Sequence, residues 1–328
     1  MTSSPRPDPA FPPFRQRWPW LGPHLQTVRN VLRGPAAAPP GEGERLRFPM
    51  PDGSGDVLLG RLDRPAGGAT KPLVILVHGL TGCETGTYML ASAAALLAAG
   101  HTVLRLNQRG AGPSRPYCRL RYHAGRSQDL RDVLAQLPGD LAGDGIFMAG
   151  YSLGGNALLK MLGEGATPVP LRAAASVSAP IDLAVTSRTF MEPRNRVYHS
   201  WLLNRMKAET FASGPDIGAK WADAARAART VYAFDDQFIG PWNGWSGADE
   251  YYAVNSANRF LPHIRVPTLV MHALDDPWIP GAIYEAVDWS ANPHLVPLLP
   301  AGGGHVGFHG RGGVWHDRCL VAFFARHA

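Results

Sequence analysis

Ile146-Phe-Met-Ala-Gly-Tyr-Ser-Leu-Gly-Gly155 is an apolar run that breaks at a serine between glycines and passes at once into the helix-forming sequence Asn156-Ala-Leu-Leu-Lys-Met-Leu162. The residues Gly150 to Gly154 fit G-x-S-x-G. In a strand-turn-helix of this kind the serine occupies a strained turn, and the flanking glycines let strand and helix approach without a Cβ clash. A serine capping a helix after a glycine turn would show the same five letters. The apolar strand before the motif and the helix after it favour a nucleophilic Ser152.

Outward from this stretch the chain alternates short apolar runs with helical patterns. Strands are expected at Val57–Leu62, Pro72–His78, Thr102–Asn107, Ile146–Gly150, Arg172–Ser178, Thr268–His272 and Leu295–Leu299. Helices are expected at Tyr88–Ala99, Arg126–Leu137, Gly155–Leu162, Ala282–Trp289 and Val314–Ala325. Apolar strands between helices describe a mostly parallel sheet covered on both faces, an α/β architecture of the α/β-hydrolase kind. The rhythm stops from about 181 to 262, where Phe190, Trp201, Phe211, Trp221, Phe234, Phe238, Trp242 and Trp245 lie in helical and irregular sequence. This is read as a cap inserted into one domain spanning 44–328, its aromatics lining an acyl pocket or forming the cap's own core. Residues 1–43 form an arm whose first forty residues hold ten prolines. Proline fixes φ and removes the N–H donor, so an extended arm is expected.

A serine hydroxyl needs a base, and the base needs an orienting acid; this architecture supplies them in the order Ser, acid, His. The strand Thr268–His272 runs into Ala273-Leu-Asp-Asp-Pro-Trp-Ile-Pro280, placing Asp275 and Asp276 at a strand's C-terminal end. Asp276 fits the frame D-x-x-I-P as the acid, with Asp275 as the neighbour that caps or braces it. After Leu295–Leu299 the loop Pro300-Ala-Gly-Gly-Gly-His305 delivers His305 to the next strand end as the base; His309 and His316 are its nearest rivals. The oxyanion needs two backbone N–H donors, one following the nucleophile and one in the loop after the third strand. Those are Leu153 and, within His78-Gly-Leu-Thr-Gly82, Leu80.

Composition bounds the alternatives. The 328 residues are 45% hydrophobic and 18% charged, which suits a folded domain with a large core. No apolar run reaches the length of a membrane span, the first twenty residues lack the apolar block of a secretory signal, and a cytoplasmic location is the expectation. The cysteines Cys83, Cys118 and Cys319 have no ligand spacing, so no structural metal is expected, and attack by Ser152 with His305 and Asp276 needs no metal or organic cofactor. Although the net charge is +6, the 32 basic residues are spread along the chain, which argues against a nucleic-acid partner. One stretch stands out: Arg105, Arg109, Arg115, Arg119, Arg121 and Arg126 occur with no Asp or Glu between them. They either brace loops or set a cation at a pocket mouth for a phosphate-bearing lipid.

Ordered blocks along the chain add a resemblance. Gly22-Pro-His-Leu-Gln-Thr27, His78–Gly82, Asn107-Gln-Arg-Gly110, Tyr122-His-Ala-Gly125 with Asp129-Leu130, Gly150–Gly155, Phe234-Asp-Asp236, Tyr251-Tyr252, Asp275-Asp-Pro277 and Gly303-Gly-His-Val-Gly-Phe308 together resemble the YheT-like branch of the α/β hydrolases, near the abhydrolase-domain 1 and 3 proteins. The resemblance implies hydrolysis of carboxylic esters, with short- to medium-chain acyl or lipid esters as substrates. Animal members of that branch resemble membrane-anchored proteins, and no such anchor is read here. An acyltransferase or thioesterase on the same triad is the alternative, weakened for acyl transfer because no His has Asp five positions later. A binding protein that keeps the fold without the chemistry is the non-enzymatic alternative.

Overall fold

The computed structural model describes residues 11–32, 34, 43–143 and 145–328. Strand β3 (Lys71–Val77) shows why the sheet forms and what covers it. Its alternating side chains face opposite ways. Leu73, Ile75 and Val77 pack on one side with Leu130, Leu134 and Leu158. Val74 and Leu76 pack on the other with Met89, Leu96 and Phe324. Both faces are apolar because both are covered, which is what a parallel sheet between helical layers requires.

The other strands of this sheet are β1 (Glu44–Pro49), β2 (Val57–Asp63), β4 (His101–Leu106), β5 (Ile146–Tyr151), β6 (Leu171–Val177), β7 (Thr268–Met271) and β8 (Leu295–Leu298). Their order is β1-β2-β4-β3-β5-β6-β7-β8. Pairing is antiparallel in β1/β2 and β2/β4 and parallel from β4 to β8. The chain is thus of the α/β-hydrolase fold class.

Helices α1 (Gly22–Leu32), α2 (Thr87–Ala98), α3 (Ser127–Ala135), α4 (Gly139–Ala142) and α5 (Leu153–Gly163) precede β6. Between β6 and β7 the chain is helical: α6 (Leu183–Phe190), α7 (Arg196–Thr210), α8 (Ala219–Ala227), α9 (Val231–Phe234), a π-turn at Asp235–Ile239, α10 (Gly240–Trp242) and α11 (Ala248–Asn255). These helices enclose an apolar cluster of their own that reaches Leu80, Leu153 and Trp278. Helices α12 (Ala282–Glu285) and α13 (Trp315–Ala325) complete the chain.

Three expectations need correction. The arm is not extended throughout, because Gly22–Leu32 is helical. Pro23 sits in the first turn, where no N–H is required, and no proline follows it in the helix. Residues 1–10, 33 and 35–42 of the arm lie outside the described residues. The helix expected over Ala282–Trp289 stops at Glu285, and Trp289 turns back so that its indole N–H donates to the Tyr284 carbonyl at 3.0 Å. Helix α5 begins two residues earlier than expected, at Leu153, directly after the serine.

Candidate active site

The turn from β5 to α5 forces Ser152 into φ +49°, ψ −123°, a left-handed conformation that a side-chain-bearing residue holds only when its surroundings fix it. The surroundings leave no room for a wider turn. A Cβ on Gly154 would lie 2.3 Å from the His78 carbonyl oxygen, and one on Gly79 would lie 2.8 Å from the Ser152 Cβ. The glycines therefore let the β3 loop pass directly over the serine.

His305 enters from the loop after β8, with its Nε2 3.1 Å from the Ser152 Oγ. Its Nδ1 donates to the Asp276 Oδ2 at 2.8 Å, which leaves Nε2 to accept the serine proton. Asp276 ends the β7 turn with its side chain fully enclosed, and its Oδ1 accepts the Trp278 and Ile279 N–H groups at 2.8 and 3.1 Å. Burial by itself would raise this carboxyl's pKa; the charge and hydrogen bond of His305 outweigh it, and the group lies below its usual value. Asp275 points elsewhere: its Oδ1 accepts the Gly304 N–H at 2.9 Å, so it braces the histidine loop. Trp278 stacks on the His305 ring at 4.3 Å between centroids. His309 and His316 lie buried away from this contact, His309 with its ring pushed down to about 3 by burial.

Leu153, as the first residue of α5, has an N–H with no acceptor inside the helix, at the helix's positive end. Leu80 follows Gly79 in the loop that crosses Ser152, and both leucines line the same cavity as Ser152 and His305. His78 anchors that loop. Its Nε2 accepts the Gln108 N–H at 3.0 Å and its Nδ1 donates to the Gly79 carbonyl at 2.8 Å, and burial pushes its pKa down to about 4.

Several supporting residues carried no motif of their own. Thr81, beside Leu80, is also left-handed at φ +56°. Its N–H donates to the Tyr122 hydroxyl at 2.6 Å, and that hydroxyl donates to Glu209 on α7 at 3.1 Å. Arg205, also on α7, donates to the Thr81 carbonyl and hydroxyl at 3.2 and 3.3 Å. Burial, opposed by Tyr122 and nearby arginines, pushes the Glu209 carboxyl up to about 7. On the opposite side the Thr27 Oγ1 of α1 accepts the His305 N–H at 2.9 Å. Gln26 exchanges hydrogen bonds with both backbone groups of His309 at 2.6 and 3.0 Å. In the sequence, Gln26, Thr27 and Tyr122 were visible only as members of the resemblance blocks.

The cavity over Ser152 has a volume of about 540 Å³. Leu183, Phe190, Leu202, Met206 and Ile239 give it an apolar wall, and Tyr251, Tyr252 and Trp278 add aromatic surface. The aromatics between β6 and β7 are divided: Phe190, Trp201 and Phe234 line the cavity, whereas Phe238 stacks on Trp242 at 5.0 Å inside the helical cluster. Asp235 reaches the cavity from the π-turn and accepts the Tyr252 hydroxyl at 2.6 Å; burial pushes its carboxyl up to about 7.

The acid-free arginine stretch braces loops. Arg105 pairs with Asp63 at 2.8 Å, and the fully enclosed Arg109 pairs with Asp52, Asp56 and Asp129. Arg115 and Arg121 donate to backbone carbonyls; of the six only Arg121 reaches the cavity wall. Among the described residues no cluster of three or more His, Cys, Asp or Glu is arranged to hold a metal ion, and no helix is long and apolar enough to cross a membrane.

A family model described as alpha/beta hydrolase fold matches residues 72–311. YheT of Escherichia coli (strain K12) is 31% identical over 267 residues, covering 80% of this chain and 78% of that protein. A monoacylglycerol lipase of Saccharomyces cerevisiae is 31% identical over 266 residues, covering 77% of this chain and 59% of the lipase. The chain thus spans about three fifths of that yeast relative. Among solved structures, an esterase from Pyrococcus furiosus superposes with a TM-score of 0.56 at 18% identity, covering 96% of each chain, which is a likeness of fold.

Proposed function

Starting from a chain that belongs to the alpha/beta hydrolase fold family, in its YheT-like branch, we propose that it is a serine hydrolase of carboxylic esters. Ser152 is its nucleophile, His305 its general base and Asp276 the acid that orients the histidine. The observation that carries this reading is the unbroken run of contacts Ser152–His305–Asp276, at 3.1 and 2.8 Å, drawn from three separate loops around a left-handed serine.

In the reaction Ser152 attacks the ester carbonyl while its proton passes to the His305 Nε2. The charge developing on the carbonyl oxygen is met by the Leu80 and Leu153 N–H groups. The imidazolium, stabilised by Asp276, then protonates the departing alcohol, leaving the acyl group on Ser152. Water activated by the same histidine attacks the acyl-enzyme, and the acid is released with Ser152 restored. The chemistry closes on the chain's own groups.

The apolar wall of the cavity fits an acyl chain. The lipase name carried by the yeast relative agrees with an ester substrate. The test is intact-mass detection of a fluorophosphonate adduct on the unmodified chain and on Ser152→Ala, with hydrolysis of p-nitrophenyl esters of increasing chain length. An adduct and turnover that both disappear in the variant are the expected result. A folded unmodified chain that neither labels nor turns over any ester would overturn the reading.

A further inference from the structure

Helix α1 is amphipathic in the reverse of the usual sense. Its inward side is polar: Gln26 is fully buried among backbone groups of Trp20 and His309, and Thr27 holds the His305 N–H. Its outward side is apolar. Leu21, the residue before the helix, and Leu25, Val28 and Leu32 within it recur at four- and three-residue spacing, and the three leucines are 49%, 43% and 66% exposed. Trp18, just before the helix, is 79% exposed. A surface helix normally turns its apolar stripe to the core.

The exposure is concentrated at one place. Of the eleven large apolar side chains exposed among the described residues, five belong to the arm and two, Val197 and Trp201, to α7. The two helices are neighbours: the His24 Nδ1 lies 3.0 Å from the Tyr198 hydroxyl, and their rings stack. Val31 of α1 and Trp201 of α7 are exposed and also line the cavity over Ser152, so the apolar surface borders that cavity's mouth. On the described part of the arm the adjoining charge has one sign. Described residues 11–32 contain Arg15, Arg17 and Arg29 and no acidic side chain, and α7 adds the exposed Arg196 and Arg205.

We propose that the outward face of α1, together with Val197 and Trp201, docks peripherally on an anionic lipid surface and presents the cavity mouth to it. Tryptophan and leucine on one face with arginines beside them are the composition that rests in a headgroup layer, where the rings and aliphatic chains enter and the guanidiniums meet lipid phosphates. A second copy of this chain fits less well. A two-fold contact of the patch on itself would set the arginines of two arms against each other, with no carboxylate from described residues 11–32 of either copy between them.

The docking is measured on the Ser152→Ala chain, so its outcome does not depend on whether the chain hydrolyses esters. Cosedimentation with phosphatidylglycerol–phosphatidylcholine vesicles should show binding that weakens as salt is raised. Leu21→Ser, Leu25→Ser and Leu32→Ser together should lower the partition coefficient at least about tenfold. Arg15→Gln with Arg17→Gln should weaken binding to the anionic vesicles while leaving binding to pure phosphatidylcholine unchanged. Melting temperatures report folding; if the leucine variant melts early, the arginine pair decides. No cosedimentation of the unmodified surface overturns the proposal. So does equal binding by a folded leucine variant, an arginine pair without effect, or a dimer seen by light scattering that the leucine changes abolish.

Discussion

Replacing Asp276 by asparagine separates the two adjacent aspartates. The Asp276 Oδ1 accepts two backbone N–H groups, from Trp278 and Ile279, while its Oδ2 accepts the His305 Nδ1 proton. An asparagine whose carbonyl keeps the two backbone donors must aim its NH₂ at the His305 Nδ1. The imidazole then has to accept at Nδ1 and carry its proton on Nε2, facing Ser152 with a donor where a base is needed. The flipped amide restores the tautomer but strands two buried N–H donors, at about 1–3 kcal/mol each. That cost favours the first arrangement, in which the site loses its base, and kcat should fall on the order of 10³–10⁴-fold, equivalent to about 4–5 kcal/mol. In Asp275→Asn the amide oxygen can still accept the Gly304 N–H, so the change should stay within about threefold. Steady-state hydrolysis of p-nitrophenyl butyrate by both variants is the assay. An Asp275→Asn enzyme crippled a thousandfold beside an active Asp276→Asn enzyme would refute the assignment.

Three further outcomes are expected. Tyr122→Phe removes the acceptor of the Thr81 N–H and leaves Glu209 without its hydroxyl donor, so p-nitrophenyl ester kinetics should show kcat lowered about 10- to 100-fold with KM nearly unchanged. Thr27→Val keeps the shape of α1 but strands the His305 N–H; kcat should drop about tenfold and the melting temperature by a few degrees, read by the same kinetics and by calorimetry. The buried Asp235 carboxyl, pushed up to about 7, binds its proton more tightly folded than unfolded, so its contribution is present at acid pH and lost as pH rises from about 4 to about 7. Asp235→Asn, still able to accept from Tyr252, should melt a few degrees above the unmodified chain at pH 8, a gap that closes as the pH approaches 4.

The sheet and the meeting of Ser152, Asp276 and His305 were legible because they rest on local signals: apolar runs of strand length, glycines at the elbow and in the histidine loop, and a fixed chain order. The choice between Asp275 and Asp276 was less so, since the direction of each side chain depends on a turn whose dihedral angles the letters do not specify. Helix α1 was hidden by proline density, an average that misses the proline-free stretch after Pro23. The arginine stretch invited a reading from what lay between its members. The partners of Arg105 and Arg109, Asp52, Asp56 and Asp63, come from an earlier part of the chain, and Asp129 follows Arg126, so local spacing could not show that these two charges were already paired. The roles of Tyr122 and Arg205 were hidden for a related reason: they act on backbone atoms of Thr81, and backbone partners leave no mark in a sequence; Glu209 acts one step further away, through the Tyr122 hydroxyl.

The sheet fixes where the chemistry-bearing loops emerge, but their orientation comes from outside it. His305 is held at its N–H by α1, and Thr81, next to a candidate oxyanion donor, is held at N–H, carbonyl and hydroxyl by Tyr122 and α7. Each of these hydrogen bonds contributes only about 1 kcal/mol to folding. Their effect on rate can be larger, because a displacement of about 1 Å at a reacting group can slow turnover a hundredfold. Substitutions in α1 or α7 should therefore lower kcat more than they lower the melting temperature, whereas substitutions under the sheet, such as at Ile75 or Leu158, should do the opposite. That contrast separates residues that hold the loops from residues that hold the fold.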